Sequence, residues 1–160
     1  MPILTRHTIK EAIGNERVEK AVVVRLDENW RQMEGTEREF DVEMICLSVG
    51  MSPLIDLLRT AGCEMAFIPE LGGYTPIHNE DLETTVKGIY VAGDSSGVEE
   101  ASTAIVEGKL AGLNAAVSLG YWNENVDAIR LDLRRQLEVL RAGPFGELRR
   151  RGKEKMWRLK

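Results

Sequence analysis

Apolar and polar positions alternate most clearly in the amino-terminal third of the chain, and the pattern there predicts strands. Residues 3–9 read as a short strand that residues 11–14 close with a turn. Residues 18–26, centred on Ala21, Val22, Val23 and Val24, are a β-branched run that predicts a stronger one. The polar stretch 27–36, with Asn29 and Gly35, predicts an exposed connection to a returning strand over 38–49. Together these make an antiparallel meander. Residues 52–61 predict a helix, with Leu54, Ile55, Leu57 and Leu58 crowding one side and Gly62 as its stop. Residues 68–83 carry no sustained period and read as an irregular crossing. Helices are expected again over residues 98–119, 124–141 and 145–157. The second carries Val126, Ile129, Leu133, Leu137 and Leu140 as a core stripe, and Gly143-Pro144 separates it from the third.

Between crossing and helices lies the run with most chemical content, Thr84-Thr85-Val86-Lys87-Gly88-Ile89-Tyr90-Val91-Ala92-Gly93-Asp94. Ile89 to Ala92 has the apolar character of a strand covered on both faces, and Gly93 permits close backbone approach. Asp94 then falls just outside the carboxyl end of that strand, where open α/β sheets bind ligands. A helix beginning beyond Gly97 would turn its free N–H groups and positive dipole end toward whatever Asp94 holds. For Asp94 the alternative is a cap on the Ser96 or Gly97 N–H groups. Glu99 and Glu100 read equally as first-turn acids that favour the helix dipole. Gly97 and Ala101 are small enough for close approach of a ring, or for tight helix packing. Gly108 and Gly112 read as helix-on-sheet packing, and Tyr90 as a core aromatic with a satisfied hydroxyl.

Composition narrows the classes. The chain has 160 residues, enough for one domain with a real core, and a net charge of −5. No apolar stretch approaches the roughly 20 residues needed to cross a bilayer, and the start lacks a signal peptide's apolar core. No membrane association and a cytoplasmic location are therefore expected. Cys46 and Cys63 form neither a C-x-x-C pair nor a metal cluster. Cys46 reads as strand packing and Cys63 as a helix-end thiol. His7 and His78 lack partners at metal-ligand spacing, so no metal site is expected. Arg149, Arg150, Arg151, Lys153, Lys155, Arg158 and Lys160 make a basic tail. Without a nucleic-acid motif, it reads as a helical tail that docks on an acidic face rather than as a nucleic-acid arm.

The Thr84–Asp94 run resembles the second flavin-binding motif of the two-dinucleotide-domain FAD/NAD(P)-dependent oxidoreductases, the thioredoxin reductase-like family. Gly72-Gly73-Tyr74-Thr75-Pro76 and Asp81-Leu82-Glu83 resemble the segment before that motif, and residues 101–116 the helix after it. Ile45-Cys46-Leu47-Ser48-Val49-Gly50-Met51-Ser52-Pro53 resembles the family's exit from its NAD(P)H domain. The wording from Ala92 to Ala101 and from Glu107 to Gly112 is similar to the alpha subunits of sarcosine oxidase and of proline and opine dehydrogenases. The resemblance implies an α/β, partial FAD/NAD(P)-binding Rossmann-like fold: an antiparallel β-meander, an FAD-return strand and carboxyl-terminal helices. It divides the chain into residues 1–67 (NAD(P)H-domain remnant), 68–120 (crossing and FAD-return strand-helix) and 121–160 (helical extension with the basic tail). It also implies that Gly93, Asp94, Gly97, Glu100 and Ala101 bind the cofactor, with Asp94 on the flavin's ribityl chain and Glu100 near its pyrimidine edge.

No two glycines stand two residues apart, so neither dinucleotide fingerprint, Gly-x-Gly-x-x-Gly, is present. The expectation is a carboxyl-terminal portion or subunit of an FAD-dependent pyridine-nucleotide or amino-acid oxidoreductase. It would bind FAD only with the missing Rossmann segments, supplied by an FAD-domain partner chain, and it contains no catalytic acid, base or nucleophile of its own. The alternative is an interaction or assembly module that has lost flavin binding and covers its open edge as a homodimer or with its own helices.

Overall fold

The computed structural model describes residues 3–159 and divides into two compact units, with the boundary after Val49. The first is a three-stranded antiparallel sheet of β1 (His7–Ile13), β2 (Lys20–Arg25) and β3 (Arg38–Asp41), in that order. The β-branched run takes the centre because a middle strand has neighbours on both edges, and Ala21, Val22 and Val24 are buried with Leu26 just beyond. β1 starts later than its alternation suggests and runs through the expected turn at 11–14. A bulge at Lys10, between the pairs Ile9 with Val23 and Glu11 with Val22, absorbs the break in period. β3 is shorter than expected. Its pairing of Asp41 with Lys20 exhausts β2, so residues 42–49 have no ladder to join, and Cys46 is exposed rather than packed in a strand.

In the second unit α1 (Asp56–Thr60) is a short helix. Gly62 stops it as expected: at φ 81° it lets the Cys63 N–H reach the Leu58 carbonyl at 3.0 Å. The apolar side expected to be covered is open, with Leu54 and Leu57 exposed. The crossing contains an unforeseen antiparallel hairpin, β4 (Met65–Ile68) with β5 (Gly73–Pro76), around a 3-10 turn at Pro69–Leu71. Pro69, Gly72 and Gly73 look like breakers in the sequence. They serve as the connection itself, with both glycines at positive φ, and the Phe67 ring meets Tyr74 edge-on at 5.1 Å. A division near residue 68 would fall within this hairpin.

Three helices follow, α2 (Ala101–Ser118), α3 (Val126–Leu140) and α4 (Gly143–Trp157). One core joins Leu82 to Val106, Leu110 and Ala111 of α2 and Leu133 and Leu137 of α3, with Tyr90 and Ala92 against it. A second joins Ile68, Leu71 and Met156. Gly143 enters α4 at φ 81° with Pro144 in the first turn, where its missing N–H costs nothing. The buried stripe of α3 is rotated from its expected course: Ile129 and Leu140 are partly exposed, and Arg130, Arg134 and, just past the helix, Arg141 make inward polar contacts. Gly108 and Gly112 have open space where a side chain would go, so neither packs on a sheet within this chain. The architecture is of the α/β class expected, with antiparallel sheets and carboxyl-terminal helices. No helix among the described residues is long and apolar enough to cross a membrane.

α4 lies close against the 3-10 turn of the hairpin because Gly152 has no side chain. A Cβ there would come within 2.8 Å of Leu71 Cγ and 2.9 Å of Glu70 Cβ. Gly152→Val is expected to lower stability by about 1–3 kcal/mol through overpacking. Gly112→Ala, in open helical space, should raise it by about 0.5–1 kcal/mol. Urea unfolding midpoints of the two variants against the parent check both signs.

Candidate functional site

The segment ending at Asp94 is extended but is not a parallel strand. Val91 N–H bonds the Leu82 carbonyl and Thr84 N–H the Ile89 carbonyl, both at 2.9 Å, and Tyr90 bridges Glu83 antiparallel. Among the described residues no second strand pairs with its other edge. Only Val91 of the apolar run is fully buried, a correction to the strand covered on both faces: the chain supplies cover on one side. Tyr90 packs on the core and donates its hydroxyl to the Asn114 carbonyl at 3.4 Å.

Gly93–Ser96 then forms a 3-10 turn with Gly93 at φ 67°. Beneath it is Glu107, a charged residue on the buried face of α2. Its Oε2 accepts the Gly93 N–H at 2.8 Å and the Ser96 hydroxyl at 2.6 Å. Its Oε1 accepts Arg141 Nη2 at 2.5 Å and Lys153 Nζ at 2.9 Å. Arg141 also grips Glu99 with Nε at 2.9 Å and Nη2 at 2.8 Å. Lys153 gives further bonds to the Ser96 carbonyl at 3.0 Å and hydroxyl at 2.8 Å. The four charged side chains are at most 6% exposed, and two acids balance two bases. Removing one partner of such a buried set strands an uncompensated charge, at a cost of about 3–5 kcal/mol.

The expected cofactor residues fall around this turn in different settings. Asp94 is exposed. Its backbone carbonyl accepts the Gly97 N–H at 3.2 Å, and among the described residues its carboxylate makes no cap, so the capping alternative is not realised. Gly97 is buried at φ 131°, and a Cβ there would meet Leu71 at 3.0 Å, which accounts for the glycine within this chain. Glu100 is the N-cap residue of α2 with its carboxylate exposed, and its carbonyl accepts the Thr103 hydroxyl at 2.6 Å. Ala101 is exposed in the first turn. Glu99 turns inward to the charge cluster instead of standing as a free first-turn acid. Ala92 and Ser95, on either side of the Gly93–Asp94 step, line a largely apolar cavity of ≈ 540 Å³ with Tyr90, Leu54 and Leu57, and with the carboxylate-bearing Asp56 on its wall. That size lies within the roughly 300–1,000 Å³ of ligand clefts. These residues fit the ribityl end of a flavin: an unpaired carboxylate on a fixed turn beside an apolar hollow. They do not provide the glycine-rich turn that would hold its diphosphate.

Glu107, Arg141, Lys153 and Ser96 were not foreseen as a group. The signal is a titratable residue at a core position of an amphipathic helix: Glu107 shares its face with Thr103, Leu110, Ala111 and Asn114, and Lys153 with Gly152 and Met156. The basic tail docks on its own unit, with Arg149 on the Glu70 carbonyl and Lys155 on the Glu70 carboxylate, while Arg150 pairs with Glu147 and Glu154 along α4.

Residues 1–108 match the family described as pyridine nucleotide-disulphide oxidoreductase. The A subunit of opine oxidase from Agrobacterium tumefaciens (strain Ach5) is 39% identical over 83 residues, 52% of this chain and 16% of that protein. The A subunit of an opine oxidase from Rhizobium meliloti is 34% identical over 97 residues, 61% of this chain and 18% of its own. An NADH oxidase of Methanocaldococcus jannaschii is 26% identical over 125 residues, 71% of this chain and 24% of its own. The chain thus spans between 16% and 24% of the length of these curated relatives.

Two buried groups near the turn tie its electrostatics to pH. Burial raises the Glu107 pKa, but Lys153 and Arg141 outweigh it and bring the carboxyl down to about 2. Burial, reinforced by the Lys153 charge, lowers His78 from 6.5 to about 3, against the opposing pull of the Asn79 carbonyl. His78 is therefore neutral, with Nδ1 bonded to the Asn79 carbonyl at 2.8 Å. Both folded pKa values lie below the unfolded ones, so both contributions are complete above the unfolded pKa and are lost as pH falls. His78 acts first, from about pH 6.5 downward, and Glu107 below about 4.5. Between pH 7 and 5 the His78 contribution should fall by about 2 kcal/mol. Urea unfolding at the two pH values should show this loss, and His78→Gln should flatten it. An equally steep slope in that variant would assign the pH dependence to other groups.

Proposed function

This chain belongs to the pyridine nucleotide-disulphide oxidoreductase family, and on that premise we propose that it is the carboxyl-terminal portion or a subunit of an FAD-dependent pyridine-nucleotide or amino-acid (sarcosine-, proline- or opine-type) oxidoreductase, completing a flavin site with another chain. The observation that carries this reading is Asp94: an exposed carboxylate on an anchored turn, at the end of an extended segment whose free edge has no strand beside it among the described residues. The relatives named for opine oxidase and NADH oxidase support the same class of chemistry.

A bound flavin would supply hydride transfer between a nicotinamide or an amino-acid-type substrate and its ring. This chain's share is binding and orientation. Asp94 would accept from a ribityl hydroxyl, on a turn that Gly93 seats against Ala104. The opening of α2, at Glu100 and Ala101, would offer first-turn N–H groups to negative charge developing on the flavin's pyrimidine edge. The hollow lined by Leu54, Leu57 and Tyr90 would be closed by the incoming chain, keeping water from the ring. Most of the affinity belongs to the diphosphate half, so the chain alone holds FAD weakly or not at all.

One feature also favours a purely structural reading. Ile105, Gly108, Gly112 and Leu119 follow one another at helical spacing along the outer face of α2 and its end, all exposed. A second copy could cover that face in a non-catalytic homodimer, removing an aggregation hazard.

Visible absorbance of the purified chain separates the two. We expect a flavin band only after co-expression with a chain that carries the dinucleotide fingerprints, and its loss in Asp94→Ala. No flavin in either preparation, with a stable homodimer in solution, would leave the assembly reading. Gly112→Glu adds a charge where the isolated chain has open space. It should shift the chain's own stability by no more than about 0.5 kcal/mol yet dissociate a homodimer seated on that face, read by size-exclusion chromatography. A homodimer unchanged in the variant would show that this face is not the contact.

A further inference from the structure

The cluster under the Gly93–Ser96 turn is more than a way of docking helices, because its donors and acceptors converge on the backbone that carries Asp94. Glu107 accepts from the N–H of Gly93, one residue before Asp94, and from the hydroxyl of Ser96, two residues after it. Lys153 donates to the Ser96 carbonyl and hydroxyl as well. Both flanks of Asp94 are thus held by side chains from distant parts of the chain, while Asp94 itself points to solvent. The back of the turn is closed too, since a Cβ on Gly93 would lie 3.3 Å from Ala104 Cβ. Apolar residues of similar volume could fill the same space at little or no loss of stability. What they could not do is fix the turn's N–H and carbonyl groups in direction.

We propose that Arg141, at the end of α3, and Lys153, in α4, are positioning residues: acting through Glu107 and Ser96, they set the conformation of the Gly93–Ser96 turn and so the place from which Asp94 meets its ligand. Lys153 acts directly on the turn. Arg141 acts one step back, dividing its guanidinium between Glu99 and Glu107 and so fixing the carboxylate that holds Gly93. The helical extension is in this sense part of the cofactor site without touching the cofactor. Only the identity of that ligand rests on the flavin reading. The clamp itself rests on the geometry of this chain.

Hydrogen exchange and flavin retention test the two separately. Lys153→Met leaves Glu107 paired with Arg141 but sets two buried acids against one base, so its effect is read beside a charge-balanced control. The paired change Glu107→Met with Lys153→Met removes one acid and one base together, keeps the Arg141 and Glu99 pair, and so leaves no stranded charge. In the full chain, both variants should speed amide exchange in residues 93–97 by about tenfold or more, the loss of a hydrogen bond to a charged group, with exchange in β4 and β5 unchanged. Turn protection equal to the parent's in the folded double variant would overturn the proposal. In the complex with the fingerprint-bearing chain, the paired change should speed flavin release by about tenfold, and it should add less in an Asp94→Asn background, where a weakened contact still retains flavin to be timed. An equal effect in that background would overturn the route through Asp94. Loosened exchange in a complex that never held flavin would uphold the clamp and discard the flavin reading.

Discussion

The carboxylate of Glu107 is the contact on which the second unit depends. It is almost wholly enclosed, and a charge so placed is tolerated only if every lone pair is answered. Four donors answer it, from Gly93, Ser96, Arg141 and Lys153. They come from a turn and from the two carboxyl-terminal helical segments, so satisfying one carboxylate draws three distant parts of the chain onto α2. Glu99 balances the second cation. Every part of this set must be present at once, which makes its geometry specific in a way that the neighbouring contacts among Leu82, Leu110 and Leu133 are not.

The charge cluster around Glu107 is therefore complete while the apolar exterior is not. Leu54 and Leu57 stand open beside α1, Ile105 and Leu119 along α2 and its end, and the extended run before Asp94 lacks a strand on one edge among the described residues. Hydrophobic residues exposed singly need no explanation, but Leu54 and Leu57 line one hollow with Ala92 and Ser95, on either side of the Gly93–Asp94 step. The same incompleteness explains why the apolar run at Ile89 to Ala92 reads as a strand with two covered faces yet is buried only at Val91.

That distinction accounts for what was legible in the sequence. Helices α2 and α3 were plain because their apolar residues recur at helical spacing, α4 because Gly143-Pro144 breaks it from α3, and Gly62 and Gly143 stop or start helices as glycines with positive φ do. The run from Ala21 to Val24 was plain as a strand because three consecutive valines favour a pleated, half-buried surface. Strand ends were not, since β1 depends on a bulge at Lys10 and β3 on where β2 runs out, and neither is a local property. The hairpin at β4 and β5 was hidden by Pro69, Gly72 and Gly73, which signal a break and in fact build the turn. Asp94 announced itself through its motif. Glu107, Arg141 and Lys153 did not, because a charged residue on a helix is assigned to solvent until the facing helix is known.

The family match ends at residue 108, one position after Glu107. The cations that answer Glu107 come from beyond it, from Arg141 and Lys153. The matched segment thus contains the acid and the turn that it holds, but not the charges that make burying that acid tolerable. Within this chain the motif is finished by residues outside the motif. Of these outside segments, α4 is brought within reach by a glycine, Gly152, whose absent side chain lets the helix settle on Leu71 and carry Lys153 to the turn.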